Sequence, residues 1–367
     1  MIFGRHTDDK FYFNGDKIDV VDQYKYLGNI FQRTRTCRED MFGKNYAYLV
    51  DKARKAAFAM IRKTKLFMPL PADGTLHLFN SLVLPILQYG SEIWGVNNKA
   101  WQQIDRMCLR FMRGMLGIKH SSPNVITFGE CGITPPSVKC QISVLCYFNR
   151  LENLPDSMLV KQVFNELRYL HNHGFMTSWY TKACELQAKF GLNLNPNIAH
   201  FKAECRRSVS NYHIRNWSDN LHNSNEQSML RFYKIFKQDY KLEQYLSDVQ
   251  NYKYRNAIAK FRCSSHSLEI EKGRHAKPKI PVQERLCKSC HVLDDEFHLL
   301  FSCKIHSNER EVLFSNIVDE LPTFNMLDCT GKLKMLLTSD STKVLTLLGK
   351  FLFKSFEARK WLQHDKQ

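Results

Sequence analysis

The stretch KAWQQIDRMCLRFMRGML, residues 99–116, sets the period that most of the chain follows. Trp101, Ile104, Cys108, Phe111 and Met115 recur every three or four residues, which places them on one face of an α-helix. Arg106, Arg110 and Arg113 line the other side. A half-buried strand would alternate apolar and polar residues at every second position, and this stretch does not. Upstream the pattern repeats. Leu49, Ala53, Ala56, Ala57 and Met60 share one face, with Lys52, Lys55, Arg62 and Lys63 on another. Pro69-Leu70-Pro71 is expected to end that helix, and residues 76–84 to form the next, stopping near Pro85 because proline lacks an N–H.

Downstream, Phe128 to Gly132 and Pro135-Pro136 read as a loop, and residues 138–151 as a helix. Residues 155–255 are polar, aromatic-rich and mostly helical in pattern, with loops expected at 193–197 and 211–225. Residues 271–285, EKGRHAKPKIPVQER, read as an extended basic linker, and residues 311–321 and 332–361 return to helix. Only the start differs. Met1-Ile2-Phe3 and Lys10-Phe11-Tyr12-Phe13 are short apolar runs, and Asn14-Gly15-Asp16 supplies a hairpin turn before residues 18–21. Tyr24-Lys25-Tyr26-Leu27-Gly28 reads as a further strand ending on glycine. So small a sheet with open edges is not stable alone, which points to further sequence upstream. The expected organisation is mainly α. A β segment at 1–35 leads into a helical domain at 36–152 and a helical linker region at 153–255. A basic segment with a metal knuckle follows at 256–306, then C-terminal helices at 307–367.

Composition fits a folded chain: of 367 residues, 44% are apolar and 24% charged, which excludes a disordered protein. Lys and Arg number 53 against 36 Asp and Glu, a net charge of +17. A surplus of that size suits a polyanionic partner, since each phosphate neutralised releases a condensed counterion. Charge alone could equally belong to a solvated surface; the two basic helical stripes favour the polyanion. The first residues have no apolar core of a signal peptide, so an intracellular site, nuclear or cytoplasmic and not secreted, is expected. The apolar stretch 76–94 is broken by His77, Asn80, Pro85, Gln88, Gly90 and Glu92, and reads as a buried helix and turn with no membrane partner.

In a reducing compartment, closely spaced cysteines suggest metal before disulfides. The run RLCKSCHVLDDEFHLLFSCKIH, residues 285–306, separates Cys287 from Cys290 by two residues, the spacing with which a tight turn grips one ion. His298 and Cys303 follow. A helical turn opening at Asp294-Asp295-Glu296 would carry His298 and place Cys303 beyond it, with the acids at its positive end. Three thiolates and one imidazole make a closed, soft-ligand set that fits one structural Zn2+. His291 and His306 lie close enough in sequence to compete with His298 as fourth ligand, and a pair of buried thiols beside a core histidine is the plainer alternative. Four protein ligands would leave no open position for a catalytic water. The basic residues just before the cluster, Arg274, His275, Lys277 and Lys279, are then what such a clip would hold in place.

No phosphate-binding glycine loop, nucleophile elbow, zinc-protease helix or kinase set occurs. Asp8-Asp9 sits in a polar turn without a third carboxylate, and Asp294-Asp295-Glu296 reads as a helix cap. No catalytic residue is assigned.

Tyr26-Leu27-Gly28, then LPILQYGSEIW (84–94), FGECGITPP (128–136), EKGRHAKP (271–278) and the cysteine cluster occur in that order. Together they resemble the C-terminal part of non-LTR (LINE-type) retrotransposon reverse transcriptases over roughly residues 1–310. The resemblance implies that Tyr26, Leu27 and Gly28 close the palm. It makes Leu84, Pro85, Tyr89, Gly90, Glu92 and Trp94 part of a thumb that packs on the template–primer duplex, and Cys287, Cys290, His298 and Cys303 the ligands of a zinc knuckle linked to RNA binding. The family's catalytic motif, an aromatic residue and alanine followed by two aspartates, does not occur in this sequence. The expectation is therefore a fragment that binds RNA or an RNA–DNA hybrid without polymerising. It would use Lys52, Lys55, Arg62, Lys63, Arg106, Arg110, Arg113, Arg274, Lys277 and Lys279, and a missing N-terminal polymerase half is a possible partner. The alternative is a helical protein-interaction module recruited from a transposon fragment, suggested by the aromatics Trp179, Tyr180, Trp217, Phe232 and Tyr233.

Overall fold

A computed structural model describes residues 10–34, 40–67, 70–175, 178–224 and 228–364. Met1-Ile2-Phe3, Asp8-Asp9 and Pro69 lie outside them. The fold is mainly helical, with a small amount of strand at the start. Strands β1 (Tyr12–Phe13) and β2 (Asp16–Lys17) pair antiparallel, as do β3 (Gln23–Tyr26) and β4 (Asn29–Gln32). Both hairpins turn on two residues of positive φ, Asn14-Gly15 at 49° and 89° and Leu27-Gly28 at 45° and 84°, the handedness that matches strand twist. Residues 18–21 form no strand; the Ile18 N–H instead closes the first hairpin on the Phe11 carbonyl at 2.8 Å.

The helices up to the first internal core are α1 (Gly43–Phe67), α2 (Ala72–Leu78), α3 (Leu84–Gln88), α4 (Ser91–Trp94), α5 (Asn98–Leu116) and α6 (Asn124–Cys131). Next come α7 (Pro136–Glu152), α8 (Leu159–Asn172), α9 (Ser178–Phe190), α10 (Ile198–His222), α11 (Leu230–Phe236) and α12 (Gln244–Asp248). The chain ends with α13 (Tyr252–Arg262), α14 (Glu269–His275), α15 (Ser307–Glu320), α16 (Cys329–Leu337) and α17 (Thr342–His364). No described helix is long and apolar enough to cross a membrane.

Three expected breaks are helical. Pro85 does not stop its helix: the i→i+5 turn at Phe79–Val83 widens the backbone just before it, and the Leu84 N–H reaches Phe79 O, so the missing proline N–H and its ring are accommodated. The FGEC stretch lies inside α6 and only Gly132, at φ 59°, leaves the helix. Residues 211–222 continue α10 because Val209, Trp217 and Leu221 keep a buried stripe that the polar residues between them mask. The segment 271–285 is likewise no extended linker: it starts in α14, and Ile280 returns its N–H to the Gly273 carbonyl at 3.1 Å.

The chain forms two compact units, one from Met1–Lys63, Leu78–Cys108 and Thr134–His213, the other from Thr64–His77, Leu109–Ile133 and Ile214–Gln367. These interleaved limits do not follow the five successive segments expected. In the first unit Phe148, Phe164 and Tyr180 meet with ring centroids 5.3–5.4 Å apart, fixing α7, α8 and α9 around one core. Residues 153–213 thus form a core and not a linker. Asp105 on α5 caps α7, accepting from the Ser137 N–H at 3.0 Å and its hydroxyl at 2.6 Å.

In the second unit α13 lies along α17, and Gly349 permits the approach: a Cβ there would sit 2.8 Å from that of Tyr254. Beside them Arg262 and Glu130 form a fully buried ion pair, with Nη2 2.9 Å from Oε1. Tyr245 donates to Glu130 at 2.6 Å, and Glu243 bridges Arg262 to Lys237. Two buried acids matched by two buried cations leave no net charge in this interior.

Candidate metal centre

The second unit contains the cysteine cluster, which two short pieces of backbone assemble. Leu286 and Leu293 bridge antiparallel. Inside that bridge the Cys287 N–H meets Val292 O and the His291 N–H meets Cys287 O, both at 2.8 Å. His291 takes a left-handed φ of 56° to complete the turn, which curls Cys290 back toward Cys287. The second piece begins at Asp295, whose carboxylate accepts the His298 N–H at 2.8 Å as a helix cap. From His298 to Ser302 the helix widens to i→i+5, closed by the Cys303 N–H on His298 O at 2.8 Å. A regular helix would carry the fifth residue well past the first; the wider turn brings Cys303 alongside His298.

The ligand atoms of Cys287, Cys290, His298 and Cys303 all lie within 4.8 Å of one another, and three of these residues are buried. His298 Nδ1 contacts Ser302 Oγ at 3.1 Å, while its Nε2 is buried without a hydrogen-bond partner. An orphaned imidazole nitrogen costs about 1–3 kcal/mol unless something accepts or coordinates it. Facing three thiols, it fits a metal ion, and this group could hold one. Burial lowers the His298 pKa, favouring the neutral imidazole that coordinates. Burial pushes Cys303 up to about 11, whereas at Cys290 the Lys304 N–H, at 3.4 Å, and neighbouring thiols outweigh burial and bring the thiol below its ordinary value.

The competing histidines are accounted for. His291 is exposed at the turn, and His306 is buried with its Nε2 taking the Arg359 Nε–H at 3.3 Å. His298 is the imidazole that joins the three cysteines. The three neighbouring acids do more than cap. Asp295 is the cap, but Asp294 accepts from Arg359 at 2.8 Å and from the Glu269 N–H at 2.9 Å. Glu296 accepts from Arg231, at 2.9 and 3.1 Å, and pairs with His266 at 3.1 Å. Burial opposes its ionisation, yet His266 and Arg231 hold Glu296 down to about 2. Arg359, Arg310, Ser302, Arg231 and His266 were not legible as parts of this site. Arg310 binds the carbonyls of Leu300, at 3.0 Å, and Cys303. Nothing in the sequence links Arg359 to a cysteine 56 positions earlier.

The expected nucleic-acid contacts divide. In the first unit Lys52, Arg62 and Lys63 on α1 and Arg106 on α5 are exposed, and none has an ion pair among the described residues. Lys52 lies 5.0 Å from the Tyr48 ring centre, and Lys55 pairs with Asp51 at 2.8 Å. In the second unit Arg110, Lys277 and Lys279 are exposed, as is His275. Two further candidates have intramolecular partners. Arg113 donates to Asn124 at 2.7 Å and to the Ser122 carbonyl, which ties α5 to the start of α6. Arg274 forks onto Glu271, with contacts of 2.9 and 3.0 Å, because residues 271–274 are one helical turn. The aromatics Tyr180, Trp217, Phe232 and Tyr233 are core, with Trp217 donating to Val125 O at 2.8 Å.

No family model matches the chain, and neither a curated protein nor a solved structure shows a match to it.

Proposed function

We propose that this chain binds RNA or an RNA–DNA hybrid through phosphate contacts and does not catalyse polymerisation. In this reading it is the C-terminal part of a LINE-type reverse transcriptase, with helices in the role of a thumb and the Cys287–Cys290–His298–Cys303 set holding one structural zinc ion. Zinc follows from the donor set: three soft thiolates and an imidazole suit it, with no position left open for water. The observation that supports the binding reading is the exposure, on each unit taken separately, of cations that the sequence singles out and that form no ion pair among the described residues. Lys52, Arg62, Lys63 and Arg106 belong to one unit, Arg110, Lys277 and Lys279 to the other. Thumb-like contacts of this kind read backbone shape more than base sequence.

A binding titration against a short hybrid duplex at several salt concentrations tests it. With about five phosphates contacted, log K is expected to fall against log salt with a slope of roughly −3.5 to −4.5. A flat response would remove the proposal. A protein-interaction reading keeps one supporting observation, the exposed apolar side chains of Leu159, Val160 and Val163 on α8. Capture of a discrete protein after nuclease treatment, with no salt-sensitive duplex binding, would favour it.

A further inference from the structure

The metal ligands come from residues 287–303, but the deepest cation beside them comes from the last helix. Arg359 on α17 is only 8% exposed. Its guanidinium reaches three groups of the cluster region at once: Nη2 lies 3.5 Å from Cys303 Sγ, Nη1 2.8 Å from Asp294 Oδ2, and Nε 3.3 Å from His306 Nε2. A planar fork with fixed N–H directions can serve three such acceptors together, and a lysine ammonium on a flexible stem cannot reproduce that geometry.

Charge explains why a cation is needed there. Three thiolates around one divalent ion leave a single negative charge, and Asp294 adds another. Both are shielded from water, where an unmatched charge is costly. Arg359 and Arg310, the latter on the carbonyls of Leu300 and Cys303, bring the site to neutrality. His306 completes the arrangement by accepting the Arg359 Nε–H, which also removes it from the ligand set. Along the same helix, Val344, Leu348, Phe351 and Leu352 are buried, so the arginine is held by a packed element and not by a free tail.

We propose that Arg359 is a positioning residue that couples metal occupancy to the docking of α17. When the ion is bound, the thiolate of Cys303 and the carboxylate of Asp294 hold the guanidinium and with it the end of the helix. When the ion leaves, Cys303 Sγ is no longer held in place 3.5 Å from Nη2, and the contact that fixes the end of the helix loosens. Linkage makes the coupling reciprocal: a docked α17 raises metal affinity by the same factor that metal raises docking. The proposal rests on the zinc reading of the cluster.

The test uses the full-length chain and zinc itself. Zinc affinity is measured by competition with a chromophoric chelator for the wild type, Arg359→Gln and Arg359→Lys. Amide hydrogen exchange over residues 344–360 is followed with and without zinc. Because Arg359→Gln strands a buried Asp294, the pair Asp294→Asn with Arg359→Gln is included as a charge-matched variant. The expected result is a 10- to 100-fold loss of zinc affinity in Arg359→Gln and in the double variant, the range for groups that orient metal ligands, with a smaller loss in Arg359→Lys. Removing zinc should speed exchange over residues 355–360 in the wild type and leave it unchanged in the double variant. Wild-type affinity within twofold in a folded double variant, or zinc-independent exchange in the wild type, overturns the coupling while the metal site stands. A wild-type chain that takes up no zinc overturns both.

Discussion

Glu130 and Arg262 are separated by 132 positions and have no solvent exposure, yet their charges meet at 2.9 Å. Burial alone would keep the carboxyl protonated, but Arg262 and Lys237 hold its pKa below the ordinary value. Its contribution to stability is therefore present above the ordinary carboxylate range and is lost as pH falls through the lower folded value. Glu130→Gln should destabilise the chain by about 3–5 kcal/mol, because it leaves buried positive charge uncompensated. Urea unfolding measures this. Combined with Arg262→Met, the loss should be smaller than the sum of the two single losses, and simple additivity would show that the pair does not interact. The ligands make a second residue-scale prediction. Purified chain should contain close to one zinc by elemental analysis, and Cys290→Ser should lose it, since removing one thiolate opens a four-donor set. Zinc well below one per chain in folded wild-type material would refute the assignment.

At the scale of elements, helices with an unbroken stripe were readable and those with a special residue inside were not. The five-residue stripe predicted on residues 99–116 is helix α5, found at Asn98–Leu116. Phe128 to Gly132, by contrast, reads as a loop because two glycines and two nearby prolines suggest turns. Gly129 is inside α6 for a packing reason: a Cβ there would lie 2.8 Å from the Trp217 ring and 2.9 Å from Tyr233 Oη. Those neighbours lie 88 and 104 positions further along the chain, and no local pattern contains them. Gly132 has the opposite job. It takes φ 59° to end the helix, and a Cβ would fall 2.2 Å from the Leu242 backbone nitrogen. Gly132→Ala should cost well over the ~1 kcal/mol typical of strain at a left-handed position, since backbone must also move. A thermal-melt shift no larger than that of an exposed Gly174→Ala, another left-handed position but with nothing near its Cβ, would contradict this. In the cluster, the Cys-Cys spacing and the cap were readable because they are local. The choice among three histidines was not, because it depends on Arg359 from the final helix.

For the whole molecule, the interleaving of the two units decides what a fair functional experiment is. Each unit draws on three separate stretches, so cutting at any of the sequence-suggested boundaries within 36–255 would divide a core. The full chain is the object to assay. Supplied with primer, template and nucleotides, it is expected to give no extension product, because an aromatic residue and alanine followed by two aspartates, the motif that would hold two metal ions in a polymerase, does not occur in its sequence. Product formed by the chain alone would require a different assignment of its acids.

The placement of the four donors within one short segment also bears on the order in which this chain folds. Residues 287–303 close a loop of 17 residues, whereas Glu130 must find Arg262 across 132. By loop-closure entropy the longer encounter costs roughly 2 kcal/mol more before any contact rewards it. A metal ion can thus gather its ligands while most of the chain is still unstructured, and the tied knuckle then offers Asp294 and Glu296 as fixed landmarks for cations arriving from distant helices. With an ion in the cluster, availability of metal during synthesis, and not only in the finished protein, would become a factor in how quickly the second unit reaches its native arrangement.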